Sequence, residues 1–230
     1  MEKQYLTLPF KKSMIICGYK NEEYRKHWKY PHYGIDITTR QGITEDPTII
    51  ASGSGEVIDC GWDNSGGNIV IVKYPNVFNC KNNNVLDVII RYLHLESIAV
   101  KKGDKVKQGD KLGNEGKTKT SSYHLHLEID TDTKYPYHSP QVSSKDDNKT
   151  AAQGNILKHG TDTSINPADV LFIGENQELV PTVYNKAWLS ELDIYSHIPA
   201  DNKVIITNSM IERLRELHTE LGEILEEVRI

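Results

Sequence analysis

The sequence predicts a mainly β protein: an antiparallel β-sheet or sandwich core, then a long loop, then a C-terminal extension that ends in a helix. Three observations carry this. Between residues 47 and 95, apolar runs alternate with Gly- and Asn-rich turn signals at hairpin spacing. The stretch Tyr123-His124-Leu125-His126-Leu127-Glu128-Ile129 alternates with the period of a strand. Near the end, Met210, Leu214, Leu217, Leu221, Ile224 and Val228 recur in steps of four and three, which is a helical seam.

The chain has 230 residues, enough for one domain with an extension or for two small ones. Its 27 lysines and arginines against 32 acids give a net charge of -5. That excludes a basic nucleic-acid footprint. It also removes any bulk electrostatic pull toward an anionic membrane or cell wall. Cys17, Cys60 and Cys80 stand at unrelated spacings, so neither a Cys-x-x-Cys zinc site nor a disulfide framework is expected. Met1 to Leu6 has no long apolar core and no small-residue cleavage site, and no apolar run reaches membrane-spanning length. The expectation is a mature chain, export by another route, or a role inside a particle or cell.

In chain order, residues 1 to 30 open with short extended pieces such as Ser13 to Cys17. A polar, aromatic-rich run from Tyr24 to Tyr30 follows. In Pro31-His32-Tyr33-Gly34-Ile35-Asp36-Ile37, a helix would put His32 and Asp36 on one face, but Pro31, Gly34, the isoleucines and the threonines argue for an extended segment. There His32, Gly34 and Asp36 share one face, Gly34 leaves room for an ion, and Ile35 and Ile37 point into the core. The plainer alternative is a turn-capping Asp36 and a surface His32. Residues 47 to 74 read as hairpins, with strands at 56–62 and 68–74 around the turn Asp63 to Gly67. Pro75 to Asn84 reads as a long hairpin loop. Val85 to Leu95 returns as a strand carrying His94 near its end. Lys101 to Gly113, with glycines at 103, 109 and 113, reads as tight turns between very short strands.

Gly116 to Ser122 is a small polar loop leading into the strand of His124 and His126. That strand turns Tyr123, Leu125, Leu127 and Ile129 to the core and His124, His126 and Glu128 to the other face. Residues 131 to 165 are polar and carry Pro136, Pro140, His138 and His159; they read as a long loop with surface histidines. Asn166 to Leu171 is a turn into a short helix that closes the domain. The expected division is therefore a domain over 1–175, with its core at about 30–130, and an extension over 176–230. The stretch 176 to 208 gives no clear pattern. Ser209 and Glu212 form a capping box for the helix 209–229, which either packs on its own domain, self-associates or takes a protein partner.

Three segments thus bring His32 with Asp36, then His94, then His124 with His126. Two imidazoles and one carboxylate are a zinc set with a position left for water or substrate. Zinc so held lowers the pKa of its water to about 7 and polarises a carbonyl. The two remaining histidines can move protons or donate to an oxyanion. Spacing alone leaves open whether His124 or His126 is the ligand.

His32-Tyr33-Gly34-Ile35-Asp36, Tyr92-Leu93-His94-Leu95, the run Gly103-Asp104-Lys105-Val106-Lys107-Gln108-Gly109-Asp110 and His124-Leu125-His126, in that order, resemble the lysostaphin-type (LytM-like) zinc endopeptidases. These cut peptide cross-links of bacterial peptidoglycan. The resemblance spans about residues 30 to 130 and implies a peptidase core with a groove walled by loops. It implies one Zn2+ on His32, Asp36 and His126, with His94 and His124 as the catalytic pair. Tyr30 is the one near counterpart of a tyrosine that some members place before the first ligand. The long loop 131–165 and the extension depart from the family pattern. The family implies a peptidoglycan peptide as substrate and an extracellular or wall-associated site of action, with a bacteriophage origin as one route. The competing reading is a non-catalytic wall-binding or hydrolase-activating protein of the same fold. The glycine run also resembles the turns of lipoyl or biotin carriers and sugar-phosphotransfer proteins, but a carrier's hairpin-tip lysine signature is missing from the sequence, and phosphotransfer would need no Asp36.

Overall fold

The computed structural model describes residues 3–133, 162–189, 195 and 198. The predicted helix 209–229 and most of the predicted loop 131–165 lie outside the described residues. Fourteen strands are named in chain order. The first seven are β1 (Leu6–Thr7), β2 (Lys12–Cys17), β3 (Gly34–Thr38), β4 (Thr48–Ile50), β5 (Gly55–Asp63), β6 (Gly67–Asn79) and β7 (Asn84–Leu95). The rest are β8 (Ser97–Ile98), β9 (Lys105–Val106), β10 (Lys111–Asn114), β11 (Leu125–Asp130), β12 (Ser164–Ile165), β13 (Leu171–Phe172) and β14 (Glu178–Leu179). One helix, α1 (Glu22–Trp28), lies between β2 and β3.

A nine-stranded sheet runs in the order β14-β2-β3-β11-β7-β6-β5-β9, with β12 paired on β11. Its pairs are antiparallel except β14 with β2. A three-stranded sheet, β4-β10-β8, and the parallel pair β1-β13 complete the β structure. The mainly β, antiparallel expectation is met. The core is the inner face of the central strands. Ile35, Ile37, Val70, Val72, Ile90, Tyr92, Leu125, Leu127 and Ile129 are fully buried there. Each contributes about 2 kcal/mol of apolar burial.

The structure departs from expectation at four places. Residues 75–84 are not a long loop: β6 runs on to Asn79, and β7 starts at Asn84. The ladder tolerates Pro75 because the β6–β7 register shifts between Tyr74 and Val77, and a bulge needs no N–H from proline. The run 24–30 contains α1, started by Asn21, whose side chain accepts from the Tyr24 N–H, with Glu22 and Glu23 in the first turn. Tyr123 is 38% exposed rather than core. Gly34 does not make room for an ion. It pairs with Glu128, and a Cβ there would lie 2.2 Å from the Leu127 carbonyl oxygen. The glycine serves close strand approach instead.

Beyond residue 175, β14 adds to the edge of the large sheet, and a 3-10 turn at Lys186–Trp188 reaches the base of α1. Asn21 donates to the carbonyls of Ala187 and Leu189 at 2.9 and 3.2 Å.

Candidate active site

Strand register gathers the site. On neighbouring antiparallel strands, residues directly opposite share a face. His126 on β11 lies opposite Asp36 on β3. Their side chains meet, with His126 Nδ1 2.8 Å from Asp36 Oδ1. His32 precedes β3, and its Nε2 lies 3.1 Å from the same oxygen and 3.0 Å from His126 Nδ1. Three ligand-capable atoms therefore converge within about one hydrogen-bond length of one another.

What stands behind each ring decides its tautomer. His32 Nδ1 lies 2.7 Å from the Gly18 carbonyl, which can only accept, so Nδ1 carries the hydrogen and Nε2 presents a lone pair. His126 Nε2 lies 3.0 Å from Glu128 Oε1, so Nδ1 presents the lone pair. Glu128 in turn meets the Arg91 guanidinium at 3.3 Å, and Arg91 meets Asp130 at 2.9 Å, all buried. Three lone pairs facing one another demand a cation, either a proton or a metal ion. Donors around tetrahedral zinc at 2.0–2.1 Å stand about 3.3 Å apart, so this set fits that ion.

The electrostatics agree. Burial works to raise the Asp36 carboxyl, yet His32, His124 and the hydrogen bond from His126 hold it well below the usual carboxylate range. Burial works to lower His126, but its hydrogen bonds to Asp36 and Glu128 raise it to about 10. Glu128 is likewise lowered, against its burial, by His126 and Arg91.

His94 and His124 stand beside the set. Ring centroids of His94 lie 5.0 Å from His124 and 6.0 Å from His126. One loop orients both: His94 Nδ1 is 2.8 Å from the Thr118 carbonyl, and His124 Nδ1 is 3.0 Å from the Ser122 carbonyl. Each therefore presents Nε2 to the site. His124 Nε2 is 3.7 Å from Asp36. His94 takes a left-handed φ of 69°, rare for a residue with a side chain. The β6–β7 register slips beside it, between Asn68 and Val70. The bulge turns His94 toward His124 and His126. Burial, then the charges of His126 and His124, lower His94 to about 4.

All five predicted positions, His32, Asp36, His94, His124 and His126, thus come together. Two neighbours were not foreseen. Tyr24 stacks on the His32 ring at 4.3 Å and donates to the Tyr30 hydroxyl at 3.3 Å. Its hydroxyl is raised by burial and by Tyr30. Cys17 on β2 brings its thiol, with donor atoms of His32 and Asp36, into a group within 4.8 Å of one another. The Asn21 cap could have signalled the helix that carries Tyr24. No spacing pattern marks Cys17. The site opens into a cavity of about 930 Å³ whose walls include Tyr24, Trp28, Tyr30, Tyr184 and Trp188.

Two imidazoles and a carboxylate converging on one point, with two further histidines beside them, form the arrangement of a metal-dependent hydrolase. Residues 30–137 match the model of Peptidase family M23. Over 117 residues the chain is 33% identical to an uncharacterized metalloprotease of Buchnera aphidicola, covering 50% of this chain and 27% of that protein. Over 88 residues it is 33% identical to the peptidoglycan DD-endopeptidase ShyA of Vibrio cholerae, covering 38% of this chain and 17% of the relative. A zinc-containing peptidase from Vibrio cholerae aligns in structure at 26% identity and a TM-score of 0.42, covering 55% of this chain and 37% of that one. The chain spans less than a third of the length of these curated relatives. Among the described residues, no helix is long and apolar enough to cross a membrane.

Proposed function

We propose that this protein is a zinc metalloendopeptidase that hydrolyses peptide cross-links of bacterial peptidoglycan. The observation that carries the reading is the convergence of His32 Nε2, Asp36 Oδ1 and His126 Nδ1, with each ring's other nitrogen already committed to an oxygen. These three would hold one Zn2+. When bound, zinc would lower the pKa of a water to about 7 and polarise the scissile carbonyl.

The chain's own residues do the rest. His94, neutral at ordinary pH because burial depresses it to about 4, accepts a proton at Nε2. His124, fixed through Ser122, presents Nε2 beside Asp36; with both ring nitrogens protonated, Nε2 donates to the developing oxyanion or to the leaving nitrogen. Tyr30 lines the cavity within reach of Tyr24 and is assigned to substrate positioning. The substrate class rests on the similarity to peptidoglycan DD-endopeptidases. The place of action is accordingly where peptidoglycan is, whether the protein is exported or carried by a phage. The domain is assigned to residues 1–175 and the extension to 176–230.

The test is a mass-spectrometric digest of peptidoglycans with different cross-links, using zinc-loaded protein beside His126→Ala. New peptide termini with the parent alone support the reading and name the bond. One zinc per chain with no cleavage of any wall type would overturn it in favour of a wall-binding or activating role.

A further inference from the structure

Cys17 ends β2 beside β3, and the register between these strands shifts between Ile15 and Cys17. In an unbroken ladder Ile15 opposite Ile37 would set Ile16 opposite Asp36. The bulge sets Cys17 there instead. Opposite residues share a face, so the bulge delivers a thiol to the face that carries Asp36. The register continues through Asp36 to His126, which makes a row Cys17, Asp36, His126 across three adjacent strands. The Cys17 thiol, the His32 ring and the Asp36 carboxylate offer donor atoms within 4.8 Å of one another. Tetrahedral zinc with Zn–S about 2.3 Å and Zn–N about 2.0 Å sets sulfur and nitrogen about 3.5 Å apart, inside that span. Two donor triads therefore share His32 and Asp36, one completed by His126 and the other by Cys17, whose thiol now donates to the Gly18 carbonyl at 3.9 Å and would have to turn from it toward His126 to join both sets.

We propose that Cys17 supplies a fourth protein donor to the metal held by His32, Asp36 and His126. The inference rests on the zinc reading above. A site with four protein ligands is closed, whereas hydrolysis needs one position for water. In the resting protein Cys17 therefore shuts the site, and turnover requires its sulfur to leave. As the sulfur–metal bond forms, the thiol proton passes to the buffer, so charge and atoms balance.

The test uses the full chain with Cys60→Ser and Cys80→Ser, which leaves Cys17 as its one cysteine. X-ray absorption of the zinc-loaded protein should show one sulfur at about 2.3 Å. The cobalt-loaded protein should show a thiolate charge-transfer band that disappears on adding Cys17→Ala. The Cys17→Ala chain should also cleave cross-linked peptidoglycan several-fold faster. Stoichiometric metal with only nitrogen and oxygen neighbours would overturn the proposal and leave the zinc peptidase intact. A sulfur neighbour with no gain of rate in Cys17→Ala would overturn the closure. A protein that takes up no zinc would overturn both readings. The absorption measurement needs no variant at Cys17, so a misfolded Cys17→Ala chain does not block the decision.

Discussion

Glu128 holds His126 from behind, its Oε1 3.0 Å from Nε2, while the ring's Nδ1 faces Asp36 at 2.8 Å. The carboxylate fixes which nitrogen keeps the hydrogen. Removing it releases the ring and leaves buried Arg91 with one carboxylate fewer. Glu128→Ala should therefore weaken zinc binding by about 10–100-fold. Competition with a chelating dye measures this, and an unchanged affinity would show that the ring needs no such support.

The two pairs of histidines should separate by experiment. His94→Ala and His124→Ala should keep about one zinc per chain and lose about 10²–10⁴ in rate. His126→Ala should lose the metal itself. Metal content measured beside rate decides, and loss of zinc in the first two variants would move them into the ligand set.

His94 makes stability depend on pH in a defined window. Its pKa falls from 6.5 when unfolded to about 4 when folded, because burial and then neighbouring histidines disfavour the charge. Between those values the unfolded chain binds more protons. Stability therefore rises with pH through the window and is lost as pH falls from about 6.5 to 4. His94→Gln should flatten that part of a curve of melting temperature against pH. A curve that matches the parent would place the acid sensitivity elsewhere.

Zinc must displace the proton that His126 holds up to about pH 10. Measured in Cys17→Ala, so that only the ring proton is counted, apparent zinc affinity should rise about tenfold per pH unit between 7 and 9. A flat profile would mean that no proton leaves.

Gly34→Ala would set a Cβ 2.2 Å from the Leu127 carbonyl. Relief requires β3 to part from β11, which is where Asp36 meets His126. The expected cost is about 1–3 kcal/mol in chemical denaturation, with weaker zinc binding. Loss of stability with zinc affinity intact would show that the strain is absorbed elsewhere.

Alternation made the central strands legible. Leu125, Leu127 and Ile129 against His126 and Glu128 announce a two-faced strand; the apolar face is fully buried as that pattern implies, while Glu128 on the other face is buried as well, against Arg91. The histidines were legible because their residue types are chemically scarce. Bulges were not. The slips beside His94, at Ile15–Cys17 and at Tyr74–Val77 depend on what the partner strand needs, and no local propensity encodes that. Cys17 was passed over for this reason: its place beside His32 and Asp36 depends on a register shift, and its neighbours in sequence carry no ligand spacing.

Gly18 gives the extension after residue 176 an unexpected reach. Its N–H donates to the Trp188 carbonyl at 2.8 Å, and its carbonyl takes the His32 Nδ1 hydrogen at 2.7 Å. One residue thus works as a lever between tail and ligand: a displacement at 188 arrives at the His32 ring without crossing the hydrophobic core. On the proposed zinc reading, a substitution that moves residue 188 should change metal affinity while every ligand stays the same. Trimming the extension to obtain a smaller catalytic fragment would likewise change the very quantity such a fragment is made to measure.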